Sequence, residues 1–104
     1  MVETRWPELG GKHVRYHDRT WELTGMVDVR GTGDLLDVEA TRVDDVRHGN
    51  AVLRFGLENP PASLNPGNLG DHFDELERED DRYHLVVKKE ARTYRYALHG
   101  IEYR

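Results

Sequence analysis

A period-two alternation running from Trp21 to Leu57 constrains this chain more than any other feature. Trp21, Leu23, Gly25, Val27 and Val29 alternate with Glu22, Thr24, Met26, Asp28 and Arg30. Apolar residues at every second position put one face of an extended strand in a core and the other in water. Gly31-Thr32-Gly33-Asp34 interrupts the run with two glycines that tolerate φ > 0, as a chain reversal needs. Leu36, Val38 and Ala40 then resume the inward face, and Ala51, Leu53, Phe55 and Leu57 repeat it after His48-Gly49-Asn50. The stretch predicts a three-stranded antiparallel meander that supplies most of the core. Asp44-Asp45 breaks the alternation, which predicts a bulge or a strand end there.

Two flanking segments extend this sheet. Val14 and Tyr16 alternate with His13, Arg15 and His17, a short strand that turns at Asp18-Arg19 and pairs with the Trp21 strand. Residues 82–104 form a C-terminal hairpin: Tyr83, Leu85 and Val87 alternate on one arm, Lys89-Glu90-Ala91-Arg92 turns, and Tyr94, Tyr96 and Leu98 alternate on the other. Residues 58–70, with Pro60, Pro61 and Pro66 among glycines and asparagines, form a connecting loop. Residues 1–10 show no period and read equally as an arm tucked in by Trp6 or as a mobile tail.

Residues 69–81 predict the one helix. Leu69, Phe73 and Leu76 fall at i, i+4 and i+7, with Asn68 as N-cap and Asp71, Asp74 and Glu75 in the early turns where the helix dipole favours acids. Glu77, Glu79, Asp80 and Asp81 then crowd the end where the dipole disfavours them, so the helix must stop early or be neutralised by something else. The expected fold is therefore mainly β: a single-domain antiparallel twisted sheet or small barrel with one short helix.

At Gly11 to Val27 the chain resembles the opening of SH3-like small β-barrels of the KOW and Tudor type. The matching residues are Gly11, Val14, Tyr16, Gly25 and Val27, in a Gly-x-x-Val strand leading to a Thr-Gly-x-Val strand. The resemblance implies a small barrel that binds nucleic acid, peptides or modified side chains. Fold alone does not fix which.

Charge gives the main functional lead. The chain carries 20 acidic and 15 basic residues, for a net −5. Residues 1–81 hold nine basic and 18 acidic side chains, whereas residues 82–104 hold six basic and two acidic ones. The basic C-terminal hairpin places Lys88, Arg92 and Arg95 beside Tyr94 and Tyr96, cations for phosphates or carboxylates next to rings that stack. These five are the candidate binding residues. The opposing reading is that the acidic 71–81 window and this hairpin neutralise each other, with Tyr94 and Tyr96 in the core beside Leu98.

Motifs for chemistry are few. His13 and His17, four apart on a strand, stand about 13 Å from each other, too far to share a metal. His72 between Asp71 and Asp74 is the other histidine–carboxylate grouping. Gly31-Thr32-Gly33 leads to a strand and lacks the lysine of a phosphate loop. Ser63 has no nucleophile-elbow frame. No catalytic residue, metal or cofactor is assigned. With no cysteine, no signal-peptide core and no apolar run near about 18 residues, the expectation is a cytoplasmic chain with no membrane association. The favoured function is a small non-enzymatic binding or interaction module for a protein partner or a second copy, with nucleic acid less favoured. The alternative is a small metal-dependent hydrolase built on the histidines and carboxylates.

Overall fold

The computed structural model describes residues 2–43, 50–58, 69–80 and 82–103. Among them, eight strands form one antiparallel sheet: β1 (Val2–Arg5), β2 (His13–Tyr16), β3 (Arg19–Arg30), β4 (Leu35–Arg42), β5 (Asn50–Leu57), β6 (Phe73–Glu79), β7 (Arg82–Lys89) and β8 (Arg92–Tyr103). Their order is β1-β3-β4-β5-β8-β7-β6, with β2 beside β1 on the same edge of β3. The sheet curls into a half-barrel. Its inner residues, from Val14 of β2 through Trp21, Leu36 and Phe55 to Leu85 and Tyr96, belong to one core.

The meander is as the alternation predicts. Trp21, Leu23, Val27, Leu36, Val38, Ala40, Ala51, Leu53 and Phe55 are all buried. Outward side chains of the same strands form a charge ladder. Asp28 and Asp37 face each other across β3 and β4. Arg30 and Arg54 both reach Asp37, and Arg54 also bonds Glu102. The hydrogen bond to Asp37 is the main cause raising the Arg30 pKa above its ordinary value. The bulge expected at Asp44-Asp45 falls outside the described residues, as does most of the 58–70 loop.

Bulges elsewhere shape the sheet. In β3 the register shifts between Leu23 and Val27, where its edge partner changes from β2 to β1. Gly25 sits there at φ 97°, and a Cβ would come within 3.3 Å of the Trp6 carbonyl oxygen, so glycine suits both the torsion and the close approach. That approach carries a hydrogen bond from the Trp6 N–H to the Gly25 carbonyl, at 2.6 Å.

Residues 2–10 are integrated into the fold. β1 pairs with Met26–Val29 of β3. A 3-10 turn at Pro7–Leu9 follows, and Trp6 and Leu9 are buried. The mobile-tail reading is replaced, because two large apolar side chains in ten residues gain more from burial than a tail gains from freedom.

The acidic helix does not form. Leu69–His72 is a single 3-10 turn, and Phe73–Glu79 is strand β6, paired with β7. The cause of the misreading is a bulge. Phe73 opposes Val87 and Glu75 opposes Val86, leaving Asp74 as an extra residue. Phe73 and Leu76, three apart, thereby land on the same inner face, packed on the core. A bulged strand has reproduced the i, i+3 spacing of a helix.

The C-terminal hairpin forms with the predicted turn. Glu90 and Ala91 make a two-residue loop between Lys89 and Arg92, with φ 55° and 61°. Positive φ at both positions defines a type I′ turn, normally Asn-Gly. Ala91→Gly removes the left-handed penalty on a β-carbon and is expected to stabilise the fold by about 0.5–1 kcal/mol. Urea melts of the variant check this, and an unchanged or lower midpoint would refute it.

Tyr96 ties this hairpin to the meander. Its buried hydroxyl donates to the Gly33 carbonyl at 2.7 Å, fixing the 31–34 turn. Burial, with smaller effects from Tyr94 and Asp34, raises its pKa well above the ordinary tyrosine value. Tyr96→Phe leaves that carbonyl without its donor and should cost about 1–2 kcal/mol. The raised pKa also sets a sign. Its stabilising contribution is complete below the unfolded tyrosine pKa of about 10 and is lost as pH rises toward the folded value. The cost of Tyr96→Phe should therefore shrink in alkaline urea melts.

Candidate binding site

The five residues singled out on the C-terminal hairpin do not form a free surface. Tyr96 is fully buried and Tyr94 nearly so, both inside the sheet. Arg95 donates to Glu77 at 2.9 Å and to Glu79 at 2.7 Å. Lys88 lies 3.5 Å from Asp74. Arg92 is exposed beside the turn. The acids of β6 thus lie against the cations of β7 and β8. The bond with Glu79, the largest effect on it, raises the Arg95 pKa. Strand pairing across β6, β7 and β8 thus sets Lys88 and Arg95 against three of the acids of the 71–81 window.

The described histidines are dispersed. His13 meets Glu22 at 3.1 Å on an exposed edge. His17 sits in the β2–β3 turn, His72 is exposed in its 3-10 turn, and Asp74 is committed to Lys88. His84 is buried on the outer face with Val86 and Ala97, its Nε2 3.2 Å from Glu58. Among the described residues no three histidine, aspartate or glutamate side chains converge as a metal site. No helix among them is long and apolar enough to cross a membrane.

A different constellation arises where the two ends of the curled sheet meet. At one end of this seam, the Trp6 and Phe73 rings are 6.1 Å apart, so the chain after β1 touches the start of β6. At the other end the β2–β3 turn faces β6 and β7 across a cleft of about 450 Å³. Arg15, Tyr16, His17 and Asp18 line one wall, and Arg78 and Tyr83 the other. An adjoining hollow of about 210 Å³ shares Tyr16 and Tyr83 and adds Arg82, Leu98 and His99.

Local structure explains why these side chains gather. The β2–β3 turn is tight, with His17 and Asp18 at φ 53° and 60°, so Arg15 and Tyr16 are carried to the very tip of the hairpin. Tyr83 opposes Arg78 across β6 and β7, next to the Asp80 turn. Tyr16 and Tyr83 are half-buried, each with one side against the core. The His17 ring packs 4.2 Å from that of Tyr16, and the Arg78 guanidinium lies 5.7 Å from the centre of the Tyr83 ring. Stacked or cation–π contacts of this kind hold the rings in orientation.

No protein family, no curated protein and no solved structure matches this chain.

The cleft lies outside the reading of the sequence because its walls are 67 positions apart and belong to different hairpins. One signal was present: the tripeptide Arg-Tyr-His occurs twice, at Arg15-Tyr16-His17 and at Arg82-Tyr83-His84. Folding brings the two tyrosines to one cleft, with an arginine beside each. Three guanidiniums against one carboxylate, Asp18, leave the lining net positive. Guanidinium forks suit carboxylate or phosphate oxygens, and the tyrosine faces suit an apolar or aromatic group between them.

Proposed function

We propose that this chain is a small non-enzymatic binding module and that the seam cleft is its recognition surface. The observation that carries the reading is the meeting of Tyr16 and Tyr83 with Arg15, Arg78 and Arg82 around one cleft. Concave sites where polar groups converge are where ligands are held, and here the walls are mainly polar, with the tyrosine rings as their apolar part. The resemblance of residues 11–27 to SH3-like barrels supports the same class of function.

The test is a titration of isotopically labelled protein with phenyl phosphate and with N-acetylphenylalanine, each combining an anion with a ring. Amide shifts are expected at residues 15–18, 78–83 and 98–99, with dissociation constants on the order of millimolar. They should weaken in high salt, because the arginines are exposed. Shifts scattered over the surface, or none, would remove the cleft as the recognition surface.

A further inference from the structure

We infer that the occupant of the seam cleft is a short, extended, acidic peptide segment that adds to the sheet as a strand; the inference rests on the cleft being the binding surface. The topology supplies the first reason. β2 pairs with β3 alone and β6 with β7 alone, and no backbone pairing joins β2 to β6 among the described residues. The cleft therefore lies between two strand edges.

Hairpin parity says which backbone groups those edges offer. Tyr16 and Arg19 flank a two-residue turn, and in such a turn the flanking pair is hydrogen-bonded. The Leu23 N–H donates to the Lys12 carbonyl, in the same parity. Val14 and Tyr16 thus spend their backbone groups on β3, as Lys12 does its carbonyl, and those of His13 and Arg15 point away from it. The same count from Glu79 and Arg82 leaves the groups of Leu76 and Arg78 pointing away from β7. Arg15 and Arg78 thus combine an outward backbone with a side chain that lines the cleft. An added strand satisfies such groups, and side-chain pockets then set its specificity. The Trp6–Phe73 contact closes the other end of the seam, which limits the insert to a few residues.

Charge selects the chemistry. Arg15 and Arg82 are exposed, and among the described residues neither has an ion-pair partner. A peptide can place its carboxylates opposite these two cations and an apolar side chain between Tyr16 and Tyr83. A nucleic acid carries its charge continuously and would run into Asp18 within the cleft and Glu79 and Asp80 at its border. It also has no use for free strand edges.

The test uses the full chain and an acetylated, amidated hexapeptide of alternating glutamate and valine. It is compared with a lysine–valine version, a version N-methylated at each valine, and the oligonucleotide dT8. The acidic peptide is expected to shift the amides of Arg15, Tyr16, Arg78 and Tyr83 and to protect those of Arg15 and Arg78 from hydrogen exchange. The lysine peptide and dT8 should do neither. N-methylation should abolish binding, and Arg15→Glu with Arg82→Glu should weaken it at least about tenfold. Both substitutions are at exposed sites, and the N-methylated arm needs no variant at all. Equal binding of the N-methylated peptide, or binding of dT8 at the same residues, overturns strand addition while leaving the cleft as the recognition surface. So does sedimentation showing that the free chain is already a dimer, with amide shifts on dilution confined to β2 and β6. Failure of every probe, the small aromatic anions included, overturns both.

Discussion

Replacing Trp6 with alanine should lower the unfolding free energy by about 3–5 kcal/mol, the cost of emptying the site of a large buried aromatic. The expectation follows from three contacts that depend on one residue. The indole is 1% exposed and sits in the core cluster. Its ring meets Phe73 of β6, and its N–H donates to the Thr4 hydroxyl at 2.9 Å. No ladder of backbone hydrogen bonds joins β1 or β2 to β6 among the described residues, so side chains carry the closure of the half-barrel there. A chain of this length has a total stability of about 5–15 kcal/mol, so the loss is a large share of it. Urea unfolding followed by far-ultraviolet circular dichroism gives the midpoint, and hydrogen exchange gives the location. Protection should fall first in β1 and β6, the two edges that Trp6 links. A loss below about 1 kcal/mol would show that the seam is held by something other than this ring.

How much of this could be read beforehand depends on the local code of each element. The meander was legible because its strands are half-buried, so Trp21, Leu23, Val27, Leu36, Val38, Leu53 and Phe55 write their faces directly into the order of residues. The turns at Gly31–Asp34 and Glu90-Ala91 were legible from the breaks they impose. β6 was not, because the bulge at Asp74 gives Phe73 and Leu76 a helical spacing. The surplus of acids at the supposed helix C-terminus was the clue against it. Glu77 and Glu79 make sense only when both sit on one strand face under Arg95. Lys88 and Arg95 were chosen for their charge, and their pairing with the acids of 71–81 was the opposing reading of the same charge split; the supposed helix hid the strand pairing that carries it. The cleft was hidden for a different reason. Tyr16 and Tyr83 come together only through closure of the sheet, and closure depends on Trp6, which no periodicity announces.

That dependence can be tested without emptying the core. At Gly70 a β-carbon would stand 2.7 Å from both Cδ1 and Nε1 of the Trp6 ring, closer than real contacts allow. The indole is buried and cannot swing into solvent, so the clash must be met by moving the ring or the 3-10 turn beneath it. Gly70→Ala should therefore destabilise the protein by about 1–3 kcal/mol, the usual cost of overpacking. If the ring is the cause, the penalty belongs to the pair. In a Trp6→Leu background, where the side chain is shorter, adding Gly70→Ala should cost at least about 1 kcal/mol less than it does in the parent chain. Additive costs would place the strain in the backbone of residues 69–72 and detach Gly70 from the seam. A positive coupling would show that Leu69–His72 and the segment after β1 are packed as one unit. The same substitution then separates closure from recognition. If Trp6 aligns the edges that flank the cleft, Gly70→Ala should broaden or shift the amide signals of Tyr16 and Tyr83, on the far end of the seam, although neither residue has been touched.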